Sequence, residues 1–295
     1  MNLSRFKKSI GERLAEVAIH MVVAVAALLT LYPFIYVLSS SLSSPDAVST
    51  AKVWLYPIDF TWKAYEKVAA DPNIWTGYAN TLFYTFAGTA VNILFTIAGA
   101  YPLSKKRLRG RSLLSFMVLL TMWLKPGMIP FYLNLRDFGL LDKRITILIA
   151  FACSAFYVVL LRTYFESIPE SLEESAKIDG ANDITILAKI ILPLSKPALA
   201  TIGLYYAVQR WNGYFWAMLI LKSPTKIPLQ VFLKKLIVEM NLGDNIGLGD
   251  VAATGISQET VIYATIIISA LPMVMLYPFI QKYFEKGIMV GSVKG

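Results

Sequence analysis

Apolar residues fall in long unbroken runs, not in the period-two alternation of a half-buried strand or the narrow stripe of a surface helix. Such runs are measured against the hydrocarbon thickness of a membrane, about 30 Å, which roughly 20 helical residues cross. Val17 to Leu38 is the first run and carries no charge. Pro72 to Ser104 is also uncharged, and Tyr78 to Leu103 is the expected span within it. A third, Ser112 to Tyr132, is interrupted by Lys125-Pro126-Gly127. Ile145 to Leu161 is a short fourth. Pro197 to Leu221 is a fifth that carries Arg210, and Thr260 to Gln281 is an uncharged sixth. Helices are expected for all six, because an open backbone in lipid leaves polar groups unsatisfied. Arg5, Lys7 and Lys8 precede the first run as in a signal peptide, but the run exceeds the about 7–15 residues of a signal h-region and is read as retained. The expected fold class is an all-α membrane protein with six transmembrane helices.

Composition agrees with that pattern. Of 295 residues, 56% are hydrophobic and 16% charged, against about 25% charged in a soluble domain. Disorder is excluded, and a soluble enzyme of this length would need more surface charge. Cys153 and His20 are the only residues of their kinds. That leaves no internal disulfide, no zinc site of several His and Cys ligands, and no His-based triad away from residue 20. Neither G-x-x-x-x-G-K nor G-x-G-x-x-G occurs, so the chain shows no nucleotide-binding loop.

The net charge of +9 would suggest nucleic acid on a soluble protein. On a membrane protein, Lys and Arg gather in cytoplasmic loops. With the N-terminus inside, segments 1–16, 104–111, 162–196 and 282–295 sum to +7 and the outer segments to 0, with Lys125 and Arg210 left within spans. The run Lys105-Lys106-Arg107-Leu108-Arg109-Gly110-Arg111 carries much of this bias. It is read as a topology anchor, with nucleic-acid binding the weaker alternative. The expected organisation is a cytoplasmic segment 1–16, a six-helix transmembrane domain 17–281 and a cytoplasmic tail 282–295, with both termini cytoplasmic. Segments Phe60 to Ala70 and Gln230 to Met240 are candidates for short interfacial helices.

The loop 162–196 is longer than a simple reconnection of spans four and five requires. Ser167 with Glu170 reads as a capping box, with Pro169 in the first turn. The helix runs through Leu172, Ala176 and Ile178 and ends at Gly180 in a left-handed cap. A second helix starts at Asn182 or Asp183, shows Ile186, Leu187 and Ile190 on one face, and stops at Pro193.

The stretch Glu174-Ser175-Ala176-Lys177-Ile178-Asp179-Gly180-Ala181, continuing through Leu192-Pro193 to Pro197, resembles the coupling-loop signature of ABC importer permeases. Ser175 replaces an Ala of the signature, and Leu187 stands where an aromatic is frequent. Met128-Ile129-Pro130 and the tail Lys286-Gly287-Ile288 to Gly291-Ser292-Val293-Lys294-Gly295 resemble carbohydrate importer permeases of the maltose-transporter type. The resemblance implies a type I importer permease fold with a cytoplasmic coupling helix between spans four and five. It implies a non-catalytic subunit for sugar import, of oligosaccharides in particular. The implied place is a bacterial plasma (inner) membrane, and the implied partners are a second homologous permease, a dimer of ABC ATPase subunits, an extracellular or periplasmic sugar-binding protein and membrane lipid. Nucleic acid is not among them. No cofactor or metal is expected in this chain; ATP and Mg would be bound by the ATPase subunits. Glu174, Ala176, Asp179, Gly180, Ala181, Leu192 and Pro193 are the implied ATPase-coupling residues. Gly287 and Gly291 are an implied second contact, for which a frayed terminus is the alternative.

Span five concentrates the chemistry suited to a sugar. Tyr205, Gln209, Asn212 and Trp216 follow i, i+4, i+7, i+11 and are read as one face lining the substrate path, with Arg210 beside them. An aromatic interface belt and a structural role for Arg210 are the competing readings. The resemblance places resting sugar contacts mainly on the sister permease. Lys125-Pro126-Gly127 either opens onto a cavity or lets Lys125 snorkel to the interface. His20 is expected at the interface and Cys153 in packing. A stand-alone secondary transporter of a small polar solute is the alternative function. Proton-coupled transporters carry acids within spans, and none lies inside these six.

Overall fold

The computed structural model describes the backbone of residues 10–242 and 257–292 and the side chains of 10–238 and 257–275. Among the described residues the regular elements are helical. In chain order they are α1 (Ile10–Ser41), α2 (Pro45–Ser49), α3 (Lys63–Ala70), α4 (Pro72–Ser104), α5 (Arg111–Trp123), α6 (Met128–Asp137), α7 (Arg144–Ile149) and α8 (Ala155–Glu166). There follow α9 (Glu170–Ile178), α10 (Asp183–Ile186), α11 (Leu192–Leu194), α12 (Lys196–Asn212), α13 (Phe215–Ile220), α14 (Leu229–Leu242) and α15 (Gln258–Ser292).

Two compact units divide the chain, residues 1–70 with 236–270 and residues 71–235 with 271–295. In the first, α1 exposes apolar side chains all round from Ile10 to Phe34, and only Ser39, Ser40 and Ser41 at its end are buried. A helix apolar on every face requires lipid or another protein around it. Its serines fasten the chain that follows. Ser39 Oγ donates to Leu55 O at 2.9 Å, and Ser43 Oγ accepts from Ile58 N at 3.0 Å. Ala47, Val48 and Val53 form a small core with Ile58 and Tyr263.

In the second unit α4 is central and packs against α12, α8 and α7. Its buried face is small and polar: Gly77, Thr81, Thr85, Gly88, Asn92, Thr96, Ala100 and Ser104 recur about every fourth residue. Leu82, Phe83, Phe86, Leu94 and Phe95 point outward and are exposed. The polar face is spent on neighbouring backbone. Asn80 donates to Thr225 O and Ile227 O, Tyr84 to Lys226 O, and Thr81 Oγ1 accepts from Leu229 N. A larger apolar core lies at the other end of α4, where Tyr101, Leu161, Phe165, Ile186, Ile191 and Ile202 meet.

Among the described residues three helices are long and apolar enough to cross a membrane: α1, α4 and the Gln258–Met275 part of α15. Three expected spans are broken instead. The third becomes α5 and α6, bent by 111° across Leu124 to Gly127. Pro126 has no N–H to donate and disfavours helical geometry at Lys125. The fourth is split into α7 and α8 by residues 150–154. The fifth stops at Asn212, and α13 starts afresh at Phe215; its other end meets Asp183–Leu194 at 81°.

Candidate functional site

Two regions of the second unit carry the expected site residues. The first is the loop from Glu166 to Leu194. Ser167 does not form a capping box: its Oγ donates back to Tyr164 O at 2.7 Å, closing α8, while Pro169 precedes α9 with no side-chain cap. Glu170 is thereby freed and pairs elsewhere. Gly180 ends α9 as expected, with φ of +82°. Ala181 N donates to Ala176 O at 2.9 Å and Gly180 N to Lys177 O at 3.0 Å, the paired bonds of a Schellman turn. No atom lies within 4 Å of a Cβ built on Gly180, so the backbone angle alone demands glycine. Asn182 Oδ1 accepts from Thr185 N at 2.8 Å and caps α10.

Pro193 does not stop the second helix. Residues Leu187–Ile191 form a π turn in which Leu192 N donates to Leu187 O, and the helical path continues through Pro193 to Leu194. The wider turn absorbs the hydrogen bond that proline cannot make.

The loop has two faces. Ala176, Ala181 and Leu192 pack inward against the core of α4 and α8. Glu174, Asp179, Gly180 and Pro193 are exposed. Beside them stand Ile178, 87% exposed, and Ile184, 78% exposed. The sequence placed Ile178 on the helix that ends at Gly180 without marking it as exposed, and Ile184 was not singled out.

The basic run 105–111 holds this loop in place. Lys105 pairs with Glu173, and both side chains are largely buried. Lys106 Nζ lies 2.9 Å from Glu170, Arg107 pairs with Asp183, and Arg111 and Arg162 share Glu166. Lys106 holds the Glu170 carboxyl below its usual range, and the Asp183 hydrogen bond raises the Arg107 guanidinium. The exposed pairs are screened by solvent and contribute little. The Lys105–Glu173 pair matters more, because losing one buried partner costs about 3–5 kcal/mol. Among the described residues no ion pair engages Glu174 or Asp179.

The second region is a cavity of about 730 Å³ beside the break between α7 and α8. Gln209, Arg210 and Asn212 reach it from α12, Trp216 from α13 and Lys125 from the α5–α6 link. The expected single stripe is therefore two elements, because α12 ends before Trp216. Tyr205 is not at the cavity; it stacks on Tyr157, with centroids 6.0 Å apart. Cys153 is exposed and lines the cavity instead of packing inside a span.

Arg210 is committed to backbone. It donates to Ile147 O, to Leu148 O at 3.2 Å, to Phe151 O at 2.9 Å and to Asn92 Oδ1 at 2.9 Å. These carbonyls lie at the C-terminal end of α7, where orphan acceptors and the helix dipole favour a cation. Asn92 Nδ2 also donates to Phe151 O at 2.5 Å, and Tyr206 Oη accepts from Ser154 N at 3.1 Å. The structural reading of Arg210 thus accounts for its position in a span. Asn92, an amide near the middle of an uncharged run, was the sequence signal for this clamp.

The chain matches the family model "Binding-protein-dependent transport system inner membrane component" over residues 5–290. It belongs to that family. It is 39% identical over 285 residues to the polygalacturonan/rhamnogalacturonan transport system permease protein YtcP of Bacillus subtilis (strain 168), covering 96% of this chain and 99% of that one. Among solved structures it is similar to a chain of a bacterial ABC transporter involved in the import of the acidic polysaccharide alginate. The TM-score there is 0.90 at 49% identity, covering 95% of this chain and 99% of the other. A chain of a bacterial alginate ABC transporter in complex with alginate pentasaccharide-bound periplasmic protein shares the fold alone, with a TM-score of 0.58 at 16% identity over 92% and 94% of the two chains.

As a member of this family the protein is a non-catalytic inner-membrane component with several apolar helices. Gly287 and Gly291 fall in the last turns of α15, where only the backbone is described.

Proposed function

We propose that this permease forms half of the translocation path of an ATP-driven ABC importer of oligosaccharides, acidic ones foremost. The observation that carries the energy-coupling part is the exposed ridge Glu174, Ile178, Asp179, Gly180 and Ile184 on a loop clamped by Lys105 to Arg111. A chain without a phosphate-binding loop must receive motion by contact. A clamped loop transmits that motion to α4 and α8, whereas a loose one would absorb it. Two unpaired acids and two exposed isoleucines suit a docking face with an apolar centre and charged flanks.

The acidic substrate class is supported by the relatives: one is a polygalacturonan/rhamnogalacturonan transport system permease, the other belongs to an importer of alginate. The partners are a second permease, a dimer of ATPase subunits that hold ATP and Mg, and an external sugar-binding protein. α7 with α8 supplies a span to be counted beside the three single helices and the two bent pairs, giving six with both termini cytoplasmic. Residues 1–16, 17–281 and 282–295 keep the roles expected of them, and Gly287 and Gly291 approach the ATPase. Gln209, Asn212 and Trp216 face the solute.

The test is co-expression with the neighbouring permease and ATPase genes, co-purification, and reconstitution with the binding protein. ATP-dependent uptake of an oligouronate is the expected result. Failure of the ATPase to co-purify, or uptake driven by a proton gradient without ATP, would refute the reading.

A further inference from the structure

The cavity beside α7 and α8 contains a cation with no structural work. Lys125 is exposed in the link between α5 and α6 and lines the cavity together with Gln209, Asn212 and Arg210. Among the described residues Lys125 and Arg210 are the only charged ones on its wall, and no Asp or Glu lines it. The Arg210 guanidinium is spent on three carbonyls and Asn92. Among the described residues the Lys125 ammonium meets no carboxylate. The cavity is therefore a positively charged recess without an internal counter-ion. That arrangement attracts an anion.

The rest of the wall fixes what kind of anion. Phe156, Tyr214 and Phe215 present partly exposed rings, and Gln209 and Asn212 present exposed amides. Rings offer flat apolar surface and amides replace hydrogen bonds to water, a pairing suited to a polyhydroxylated ring. A volume of about 730 Å³ falls within the about 300–1,000 Å³ of small-molecule sites.

We propose that Lys125 is a specificity-determining residue of this permease, binding a uronate carboxylate of the oligosaccharide while neighbouring rings and amides take the sugar. This rests on the import reading above and deepens it: the permease itself, and not the binding protein alone, selects for acidic glycans. A lysine that only snorkels to the interface would be indifferent to substrate charge.

The experiment uses the complete importer in proteoliposomes, with saturating binding protein loaded with a hexuronate trisaccharide. Lys125→Gln and Lys125→Met, the latter keeping an unbranched apolar stem, are each expected to lower the initial uptake rate about tenfold or more, the loss of one charge-assisted hydrogen bond. Lys125→Glu is expected to lower it further, and Lys125→Arg to retain it. Assembly, by size-exclusion elution, and ATP hydrolysis without substrate are expected to stay at wild-type levels. Wild-type uptake by the Gln, Met and Glu variants would overturn this inference and leave the import reading standing. A wild-type importer that takes up no oligosaccharide at all would overturn both.

Discussion

Replacing Arg210 by methionine keeps a long unbranched side chain and removes four donated hydrogen bonds at once. Phe151 O retains Asn92 as a donor. Ile147 O, Leu148 O and Asn92 Oδ1 lose theirs, on residues that are 7%, 7% and 1% exposed. An unsatisfied buried acceptor costs about 1–3 kcal/mol, and the cation at the end of α7 adds about 0.3–1 kcal/mol. Water from the adjoining cavity reaches part of this set, so the net loss is about 3–5 kcal/mol. That is a large share of the about 5–15 kcal/mol that holds an ordinary domain folded. At about 2–4 °C per kcal/mol, the melting temperature should fall by roughly 10 °C. Arg210→Lys keeps the charge but cannot span the same acceptors, and should lose about half as much. The assay is thermal unfolding of the purified complex in detergent, followed by size-exclusion elution, beside uptake at a temperature where the variant is folded. An unchanged melting temperature with abolished uptake would refute the clamp and return Arg210 to direct substrate contact.

A Cβ on Gly88 would sit 2.9 Å from Arg210 Nε, a side chain that four hydrogen bonds prevent from retreating. Gly88→Ala should therefore destabilise by about 1–3 kcal/mol in the same unfolding assay. Gly203→Ala, whose Cβ would meet Ile93 Cδ1 at an ordinary 3.6 Å, should be tolerated. Asp142 accepts from Ser223 Oγ, Ser223 N, Lys226 Nζ and Lys222 N, and Ser223 leads in holding its carboxyl well below the usual value. A depressed folded-state value means that its stabilisation is complete above the unfolded carboxylate range, near pH 4, and is lost as pH falls through the folded value. Melting temperature should decline on acidification in that window, and less steeply in Asp142→Asn.

Hydropathy located the long helices well. α1, α4 and α15 cover the first, second and sixth expected spans, and the helices continue through Pro33 in α1 and Pro102 in α4. α3 and α14 coincide with the two segments marked as short helices. The breaks were less legible. Pro126 marked one, but residues 150–154 contain no proline or glycine. There the helix opens because donors on other helices, Arg210 and Asn92, take its carbonyls. A property of the assembled unit is not encoded within the run it interrupts. The same holds for the loop from Glu166 to Leu194. Gly180 and Asn182 act locally and were readable as caps, whereas Ser167 had two possible partners and bonded backward. The basic run read as a topology anchor also neutralises Glu166, Glu170, Glu173 and Asp183, pairings separated by 55 to 76 residues. Only after those pairs are drawn do Glu174 and Asp179 stand out, among the described residues of the loop, as the acids without an ion pair.

That exposed ridge is the place where energy should enter the permease, and Gly180 is its most sensitive point. Proline there is incompatible with a φ of +82°, and Glu174→Lys reverses one of the two unpaired charges. The decisive measurement is ATP-driven oligosaccharide uptake by proteoliposomes carrying the complete importer with either substitution, alongside recovery of the ATPase in the purified complex. Uptake should fall to background in Gly180→Pro and drop sharply in Glu174→Lys, with the ATPase bound weakly or not at all. Uptake and ATPase recovery at wild-type levels in both variants would contradict the account.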